Sequence, residues 1–298
     1  MATTRGNFSQ LLAPGLQDLL FEWLPEHAEE YSQFMNVETS DSAYDEDQII
    51  GGLGLARQKN EGDEVTYDDP IQGGSKRYLH YTYALGWQVT MEMLQDDRYD
   101  IMQRVPPELM KSCRQLWEQA SANTLTNGFS SGSITTADGV TLFNTAHPLL
   151  GGGSQSNLLS PAEDLSVTGI QDIVLLFENM LNERGLRMML QPRKLWIPPE
   201  MQFVAGEVLQ SQFKPYTGNN EINPVQGRLE PSVLHFLTST TTWMVSSGDE
   251  VNHVKFKWRQ KPVTDTIDDF ETKGVKHSIV FRFSTGATDY RGWAGGST

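Results

Sequence analysis

The strongest nucleophile pattern in the sequence lies at Gly128-Phe129-Ser130-Ser131-Gly132, which matches the G-x-S-x-G spacing of serine hydrolases. In that arrangement a strand precedes the serine and a helix follows it, so that a sharp turn exposes the hydroxyl. Here a predicted helix precedes the serines and a Thr/Gly-rich loop follows them. The pattern therefore favours a turn that ends a helix. A hydrolase that uses Ser130 or Ser131 with His147 is the alternative from another functional class.

Other side chains that could bind a metal or a cofactor lack the spacing that such sites need. The six histidines are nowhere paired at i,i+3 or i,i+4, and the single Cys113 permits neither an intramolecular disulfide nor a Cys/His zinc site. Gly51-Gly52-Leu53-Gly54 does not complete a G-x-G-x-x-G frame, and no P-loop occurs. Asp45-Glu46-Asp47 and Asp268-Asp269 have no EF-hand frame and are interpreted as solvated surface. No catalytic, cofactor-binding or metal-binding residue is predicted, and His147 is interpreted as a loop-organising hydrogen-bonding residue.

The composition is that of an ordinary soluble protein with a strong acidic excess. The chain has 298 residues, and 23 Lys and Arg against 38 Asp and Glu give a net charge of −15, with a pI of about 4.8. This charge argues against a dedicated nucleic-acid binder and against docking on anionic lipid. No apolar run approaches the ~18 residues of a membrane span, and no signal-peptide core is present, so folding in a cytoplasm is expected.

Strict alternation over residues 79–91 indicates one long strand with a single apolar face. The apolar positions are Leu79, Tyr81, Tyr83, Leu85, Trp87, Val89 and Met91. This run is about twice the usual strand length of ~5–6 residues, so the strand is expected to project from the body. Residues 50–77 carry many glycines and charges but few large apolar side chains, which indicates an extended hairpin or a disordered segment. With residues 62–69 as its partner, the long strand would form a projecting β-arm that bends at its glycines.

Helical spacing of apolar residues predicts three helices after this arm. The longest covers residues 96–127, with Pro106 and Pro107 near its start and Asn127-Gly128 as its C-terminal stop. A second helix is predicted over residues 167–184, and a third from Pro198-Pro199 to about Gln212.

Strands are predicted mainly in the C-terminal part of the chain. One covers residues 186–197, and apolar alternation indicates two more at Val254, Phe256 and Trp258 and at Ile279, Phe281 and Phe283. Gly151-Gly152-Gly153-Ser154 is interpreted as a flexible boundary between subdomains. Because the helices and antiparallel-type strands segregate instead of alternating, the fold class is α+β.

Three segments are expected to expose more apolar surface than they can bury. They are the N-terminal arm of residues 1–48, with a short helix at about residues 16–24, the β-arm, and the Gly-rich tail of residues 289–296. An exposed apolar face of this size is typical of a surface that binds a protein partner. Unpaired strand edges also need a defined neighbour to prevent aggregation. The sequence therefore predicts a protein that associates with copies of itself.

The stretch from Asp138 to Pro148, DGVTLFNTAHP, resembles the D-G-x-x-L-F-x-T-x-H-P stretch of the Mu-like major head subunit group among tailed-phage major capsid proteins. The resemblance implies the tailed-phage capsid (Johnson) fold over essentially the whole chain. Residues 1–48 would be the N-terminal arm and 49–90 the extended β-hairpin loop. Residues 91–159 with 251–298 would be the peripheral domain with its spine helix, and residues 160–250 the axial domain.

The same resemblance implies a structural protein without catalytic residues, cofactors or metals. Such subunits form hexamers and pentamers that close an icosahedral head in the host cytoplasm. The head encloses double-stranded DNA, which the inner wall contacts weakly and without sequence preference. Portal, scaffold and decoration proteins are the further partners it implies. An encapsulin-type nanocompartment shell, which shares the fold, is the remaining alternative. Relatives with a long N-terminal scaffold-like extension differ from this chain, which implies either its removal or a separate scaffold protein.

Overall fold

The computed structural model describes residues 29–90, 92, 101–130, 132, 134–215, 221–248, 251–269 and 274–297, with residues 101–106 as backbone only. The arm helix predicted at residues 16–24 therefore lies outside the described residues. The elements in chain order are α1 (Tyr31–Phe34), β1 (Asn36–Thr39), β2 (Tyr44–Gly51), β3 (Ile71–Leu79), β4 (Tyr81–Val89), α2 (Ile101–Thr126), β5 (His147–Pro148), β6 (Ser154–Gln155), α3 (Val167–Glu178), β7 (Lys194–Ile197), α4 (Gln202–Gln210), β8 (Glu230–Val233), β9 (Trp243–Ser246), β10 (Val254–Asp268), β11 (Val275–Ala287) and β12 (Trp293–Gly296). None of the helices in these ranges is long and apolar enough to cross a membrane.

A four-stranded sheet in the order β1-β10-β11-β4 forms one half of the fold. β11 pairs antiparallel with both β10 and β4, and β1 adds to β10 in parallel. Alternation in β11 buries Ile279, Phe281 and Phe283 on one face, as the sequence predicts. The long helix α2 covers this face, and Trp117 meets Phe281 edge to face with 5.5 Å between ring centroids.

The second sheet, in the order β12-β9-β7-β8, lies between two hydrophobic cores. Leu195 and Ile197 of β7 pack with residues of α3 and α4, whereas Trp196 between them packs into the core of the first sheet. Because both faces are covered, β7, β9 and β12 show no polar alternation, whereas the edge strand β8 is polar and more exposed. α3 begins at Ser166, whose hydroxyl accepts the Gly169 backbone N–H at 3.0 Å.

The Gly-rich tail is a buried strand, so its prediction as an extension is wrong. β12 pairs with β9, and its residues from Trp293 to Gly296 are buried. A Cβ on Gly296 would lie 2.5 Å from the Trp243 ring, and one on Gly295 would lie 2.7 Å from the Phe129 ring. The glycines therefore permit close packing of the backbone against aromatic rings, which composition alone does not distinguish from flexibility.

The strand predicted over residues 79–91 is β4, which follows a bend at His80 after the last residue of β3, and Met91 lies outside the described residues. Its predicted pairing with residues 62–69 is wrong. β3 pairs with β2, which forms the base of the hairpin, while β4 pairs with β11 of the first sheet. β11 offers β4 a matching apolar face, since Phe281 and Phe283 lie opposite Tyr83 and Tyr81. Residues 62–69 are mostly polar and have no such face, and they lie outside the strands.

Several element boundaries differ from the sequence prediction. The second helix ends at Glu178, where the Asn179 side chain donates to the Leu175 carbonyl at 2.9 Å. The strand predicted over residues 186–197 covers only Lys194–Ile197. Gly151-Gly152-Gly153-Ser154 is a hydrogen-bonded turn between β5 and β6 and not a flexible linker. The longest and third helices are confirmed as α2 over its described length and as α4, which follows a short 3₁₀ turn at Pro199–Met201.

Candidate assembly interface

The root of the hairpin β2–β3 is held by a network of partly buried charges centred on the buried Lys257. Asp47 of β2 accepts from Lys257 Nζ at 2.8 Å and from Lys255 Nζ at 2.9 Å, both in β10. Glu38 of β1 contacts Lys255 at 2.8 Å, and Asp45 lies 3.9 Å from Lys257. The Lys257 side chain is only 5% exposed. Asp45 and Asp47 therefore form ion pairs with lysines of the sheet, and their prediction as solvated surface is wrong.

The ionisation of this network follows from its pairing. Burial would raise the pKa of Asp47, but hydrogen bonds from Lys257 and Lys255 outweigh it and hold the pKa below its usual value. Burial would likewise lower the pKa of Lys255, and its bonds to Glu38 and Asp47 raise it instead. Both groups are charged at neutral pH. The network therefore fixes the hairpin to β10 through paired ions in a partly buried site.

Farther along, the hairpin packs on the loop that contains the DGVTLFNTAHP stretch. A Cβ on Gly74 would lie 1.8 Å from the Ala137 carbonyl oxygen, and one on Gly73 would lie 2.9 Å from the Ile49 carbonyl oxygen. Only glycine fits where two backbones approach this closely. Gly74 therefore docks the hairpin on the body and Gly73 lets β3 lie close against β2, whereas the sequence interpretation gave the hairpin glycines a bending role.

The tip of the hairpin, residues 53–67, is exposed and has no regular secondary structure. Leu55 is 78% exposed and Tyr67 is 91% exposed, and Leu53 and Val65 are also exposed. One basic side chain ties the base of this tip to the body. Arg184 donates from Nε to the Gly52 carbonyl at 3.0 Å and from Nη2 to Asp68 at 3.0 Å and to the Asp69 carbonyl at 2.6 Å.

Beneath the hairpin, the DGVTLFNTAHP stretch forms a buried cluster of hydrogen bonds around His147. His147 is fully buried, and its Nδ1 lies 2.7 Å from the Asp138 carboxylate. Its Nε2 lies 3.1 Å from Asn157 Oδ1, and its ring stacks on Tyr290 with centroids 3.7 Å apart. Asn157 also donates to the Trp293 carbonyl at 3.2 Å. His147 thus ties this loop to the tail, which confirms its predicted role in organising a loop.

The same geometry gives no support to the hydrolase alternative at Ser130. The Asn157 amide nitrogen donates to two carbonyls, so its oxygen faces His147 Nε2. Asp138 contacts the other ring nitrogen, so both ring nitrogens of the buried His147 already have partners within the fold. Ser130 lies exposed after the 3₁₀ turn at Asn127–Phe129, and Ser131 is outside the described residues.

A second set of side chains has the residue types of a catalytic triad but serves the hairpin root. The Ser284 hydroxyl lies 3.1 Å from His80 Nδ1, and Asp45 lies 3.4 Å from His80 Nε2. The His80 side chain is fully buried and Ser284 nearly so, which leaves no room for a substrate. Within the described ranges, no group of three or more His, Cys, Asp or Glu side chains could hold a metal ion. The arrangement therefore holds the bend between β3 and β4 to Asp45 of β2 and to Ser284 of β11.

A sequence profile for the family described as "Phage capsid protein" matches residues 75–295. The chain belongs to this phage capsid protein family. The match begins within β3 and spans β4, α2, most of both cores and nearly all of the buried tail. No curated protein matches the capsid protein's sequence.

Solved phage capsids share the fold of this capsid protein. A chain of the procapsid of bacteriophage JBD30 is 13% identical with a TM-score of 0.58, covering 99% of this chain and 76% of that one. A chain of the cyanophage P-SCSP1u capsid is 9% identical with a TM-score of 0.62, covering 91% and 88%. A Ralstonia phage GP4 capsid chain is 11% identical with a TM-score of 0.59, covering 91% and 89%. The α+β capsid fold and the structural role in the virion capsid are confirmed.

The sequence reasoning missed Lys255, Lys257 and Arg184 in this capsid protein. The two lysines alternate with Val254, Phe256 and Trp258, so they lie on one face of a strand whose other face is core. Asp45 and Asp47 show the same two-residue spacing with opposite charge. Two pairs of opposite charge with the same two-residue spacing were the available sequence signal that these two strands contact each other at the hairpin root. No comparable sequence signal marks Arg184, whose partners lie 115 residues or more away.

Proposed function

We propose that this capsid protein is a Mu-like major head subunit that assembles as hexamers and pentamers into an icosahedral shell around double-stranded DNA. In the proposed division, residues 1–48 form the N-terminal arm and 49–90 the extended loop. Residues 91–159 with 251–298 form the peripheral domain, and 160–250 the axial domain. The Mu-like assignment is supported by the DGVTLFNTAHP stretch, and the axial domain by a separate core built mostly from residues 159–245.

One observation carries the proposal: a rigidly rooted hairpin presents an apolar tip that its own subunit leaves uncovered. The root is fixed to β10 by the ion pairs of Asp47 with Lys255 and Lys257. The apolar side chains of Leu55, Val65 and Tyr67 remain in solvent. Covering such a surface with a neighbouring copy stabilises the assembly by about 25 cal/mol per Å² of apolar area buried. The extended loop of one subunit therefore lies over its neighbour in the shell.

The other proposed partners follow from charge and family resemblance. A net charge of −15 disfavours strong phosphate contacts, which supports a wall that holds DNA weakly and without sequence preference. Portal, scaffold and decoration proteins are the proposed protein partners. Particles that contain protein cargo and no DNA would instead indicate the encapsulin-type alternative.

The test replaces residues 55–67 by a short Gly-Ser linker. The flanking residues are already joined, because the Gly54 N–H donates to Asp68 at 2.7 Å, so a short linker closes the gap without strain. We expect a folded subunit that forms no stable particles in sedimentation and electron microscopy. Normal, heat-resistant shells from this deletion would refute the role of the loop.

A matched pair of variants separates apolar contact from loop integrity. Leu55→Ser/Val65→Ser/Tyr67→Ser removes only apolar surface, and we expect it to abolish particles. Lys59→Ser/Glu61→Ser removes one positive and one negative exposed charge from the same tip, so the net charge is unchanged. We expect this control to assemble as the wild type does. Equal loss of particles in both variants would contradict an apolar docking surface.

A further inference from the structure

The turn that carries Arg184 is rigid. The Asn182 side-chain oxygen accepts the backbone N–H groups of Arg184 and Leu186, each at 2.9 Å. Gly185 adopts a φ of +80°, which closes the turn. Glu183, the residue before Arg184, also fixes the turn, because its carboxylate accepts a hydrogen bond from the buried Arg291 at 2.8 Å. The Arg184 guanidinium is therefore presented from a fixed point on the body.

From this point Arg184 holds both legs of the extended loop at once. It donates to Gly52 on the outgoing leg and to Asp68 and Asp69 on the returning leg. The other Asp68 oxygen accepts the Gly54 N–H, which links the two legs directly. We name this set the Arg184 clasp: Arg184, Gly52, Gly54, Asp68 and Asp69. A planar guanidinium with several fixed donors suits such a three-way contact.

The clasp leaves the docking surface free. Leu55 and Tyr67, just beyond it, remain 78% and 91% exposed. The contact therefore restricts the direction of the tip without covering its apolar side chains. An unrestrained tip would lose conformational entropy on docking, and a restrained tip has already lost part of it.

We propose that the Arg184 clasp aims the tip of the extended loop, in the free subunit, for docking on a second copy of this chain. This inference rests on the proposed function, because it requires the loop to bind a neighbour. It adds a positioning residue that lies within the proposed axial domain and controls a loop outside it. The clasp is solvent-accessible and charged, so it weakens as salt concentration rises.

The first measurement concerns the free subunit. Spin labels at Glu61→Cys on the tip and Gln119→Cys on α2 report the tip direction as a distance distribution. The native Cys113 is buried. We expect a narrow distribution in the labelled parent, a broad one after Arg184→Ala, and an intermediate one after Arg184→Lys. Arg77→Ala, which removes an exposed ion pair to Glu46 elsewhere on the hairpin, is the control and keeps the narrow distribution.

The second measurement is the subunit concentration at which unlabelled particles first form. Arg184→Ala raises this threshold about five- to tenfold, while Arg77→Ala leaves it unchanged. An unchanged distance distribution, or an unchanged or lowered threshold, would overturn the clasp. If the deletion of residues 55–67 assembles normally, the proposed docking of the loop fails. Because the spin-label distances are recorded before assembly, the two failures are distinguishable.

Discussion

The root and the tip of the hairpin β2–β3 differ in the kind of side chain they contain. At the root, carboxylates from β1 and β2 meet two lysines of β10 in a partly buried site. At the tip, apolar side chains stand in water, and one arginine provides the attachment. The charged groups of the root are paired within the subunit, whereas the apolar side chains of the tip remain available to a partner.

This difference separates the folding of the subunit from its assembly. A substitution at the root changes interactions that the free subunit already makes, so it changes the free energy of unfolding. A substitution at the tip removes surface that the free subunit does not use, so it changes only association. The predictions below set the two regions against each other.

The largest effect is expected from Lys257→Met. The change retains an apolar stem of similar length but removes the charge that pairs with Asp47 at 2.8 Å. Asp47 is partly exposed and keeps Lys255 and the Thr288 hydroxyl as partners, so we expect a loss of about 3 to 4 kcal/mol of unfolding free energy, at the low end for breaking a buried ion pair. Chemical denaturation of the subunit measures this loss. A loss below about 1 kcal/mol would mean that solvent, and not Lys257, stabilises Asp47.

A pH titration extends the comparison to the place where the N-terminal arm joins the body. Glu118 of α2 accepts the backbone N–H groups of Glu30 at 3.1 Å and Tyr31 at 3.0 Å. Burial, opposed by these bonds and by Arg114 and reinforced by Glu30, raises the pKa of Glu118 from 4.5 to about 7. The folded state therefore holds this proton more tightly than the unfolded state does.

The sign of the effect follows from this difference. Below pH 4.5 both states are protonated at Glu118, and above about pH 7 neither is. Between these values the contribution of Glu118 to stability falls as pH rises, by about 3 kcal/mol in total. Glu118→Gln, compared with wild type in denaturant titrations across this range, should remove that slope. A wild-type slope that persists in the variant would assign it to another group.

Packing at the hairpin gives a smaller effect with a matched control. Gly74→Ala places a Cβ 1.8 Å from the Ala137 carbonyl oxygen, so a backbone must move. We expect a loss of about 2 kcal/mol, which thermal unfolding measures. Gly52→Ala, whose Cβ meets nothing within 4 Å, should be neutral for unfolding. If both variants unfold alike, the close approach does not constrain the hairpin.

The sequence predicts the regular elements better than the contacts that join them. Local alternation correctly indicates the strands at Val254–Trp258 and Ile279–Phe283, because each residue's exposure repeats every second position. The partners of Asp47 lie more than 200 residues away, so the pattern around it is equally consistent with a solvated loop. The Gly-rich tail is a second case, because its glycines allow close packing against Trp243, which the sequence pattern does not distinguish from a flexible segment. Contacts between distant segments depend on topology, which local spacing does not specify.

The smallest effect on the free subunit, and the sharpest contrast, is expected at the tip. Tyr67 is 91% exposed, so Tyr67→Ser should change the free energy of unfolding by less than about 0.5 kcal/mol. The same change removes a large aromatic contact from every copy of the proposed interface, so particles should form only at higher protein concentration or melt at lower temperature. Denaturation of the subunit and heating of assembled particles measure the two effects separately. A tip substitution that destabilises the subunit and its particles equally would show that the tip also packs within its own chain, which would erase the distinction between root and tip.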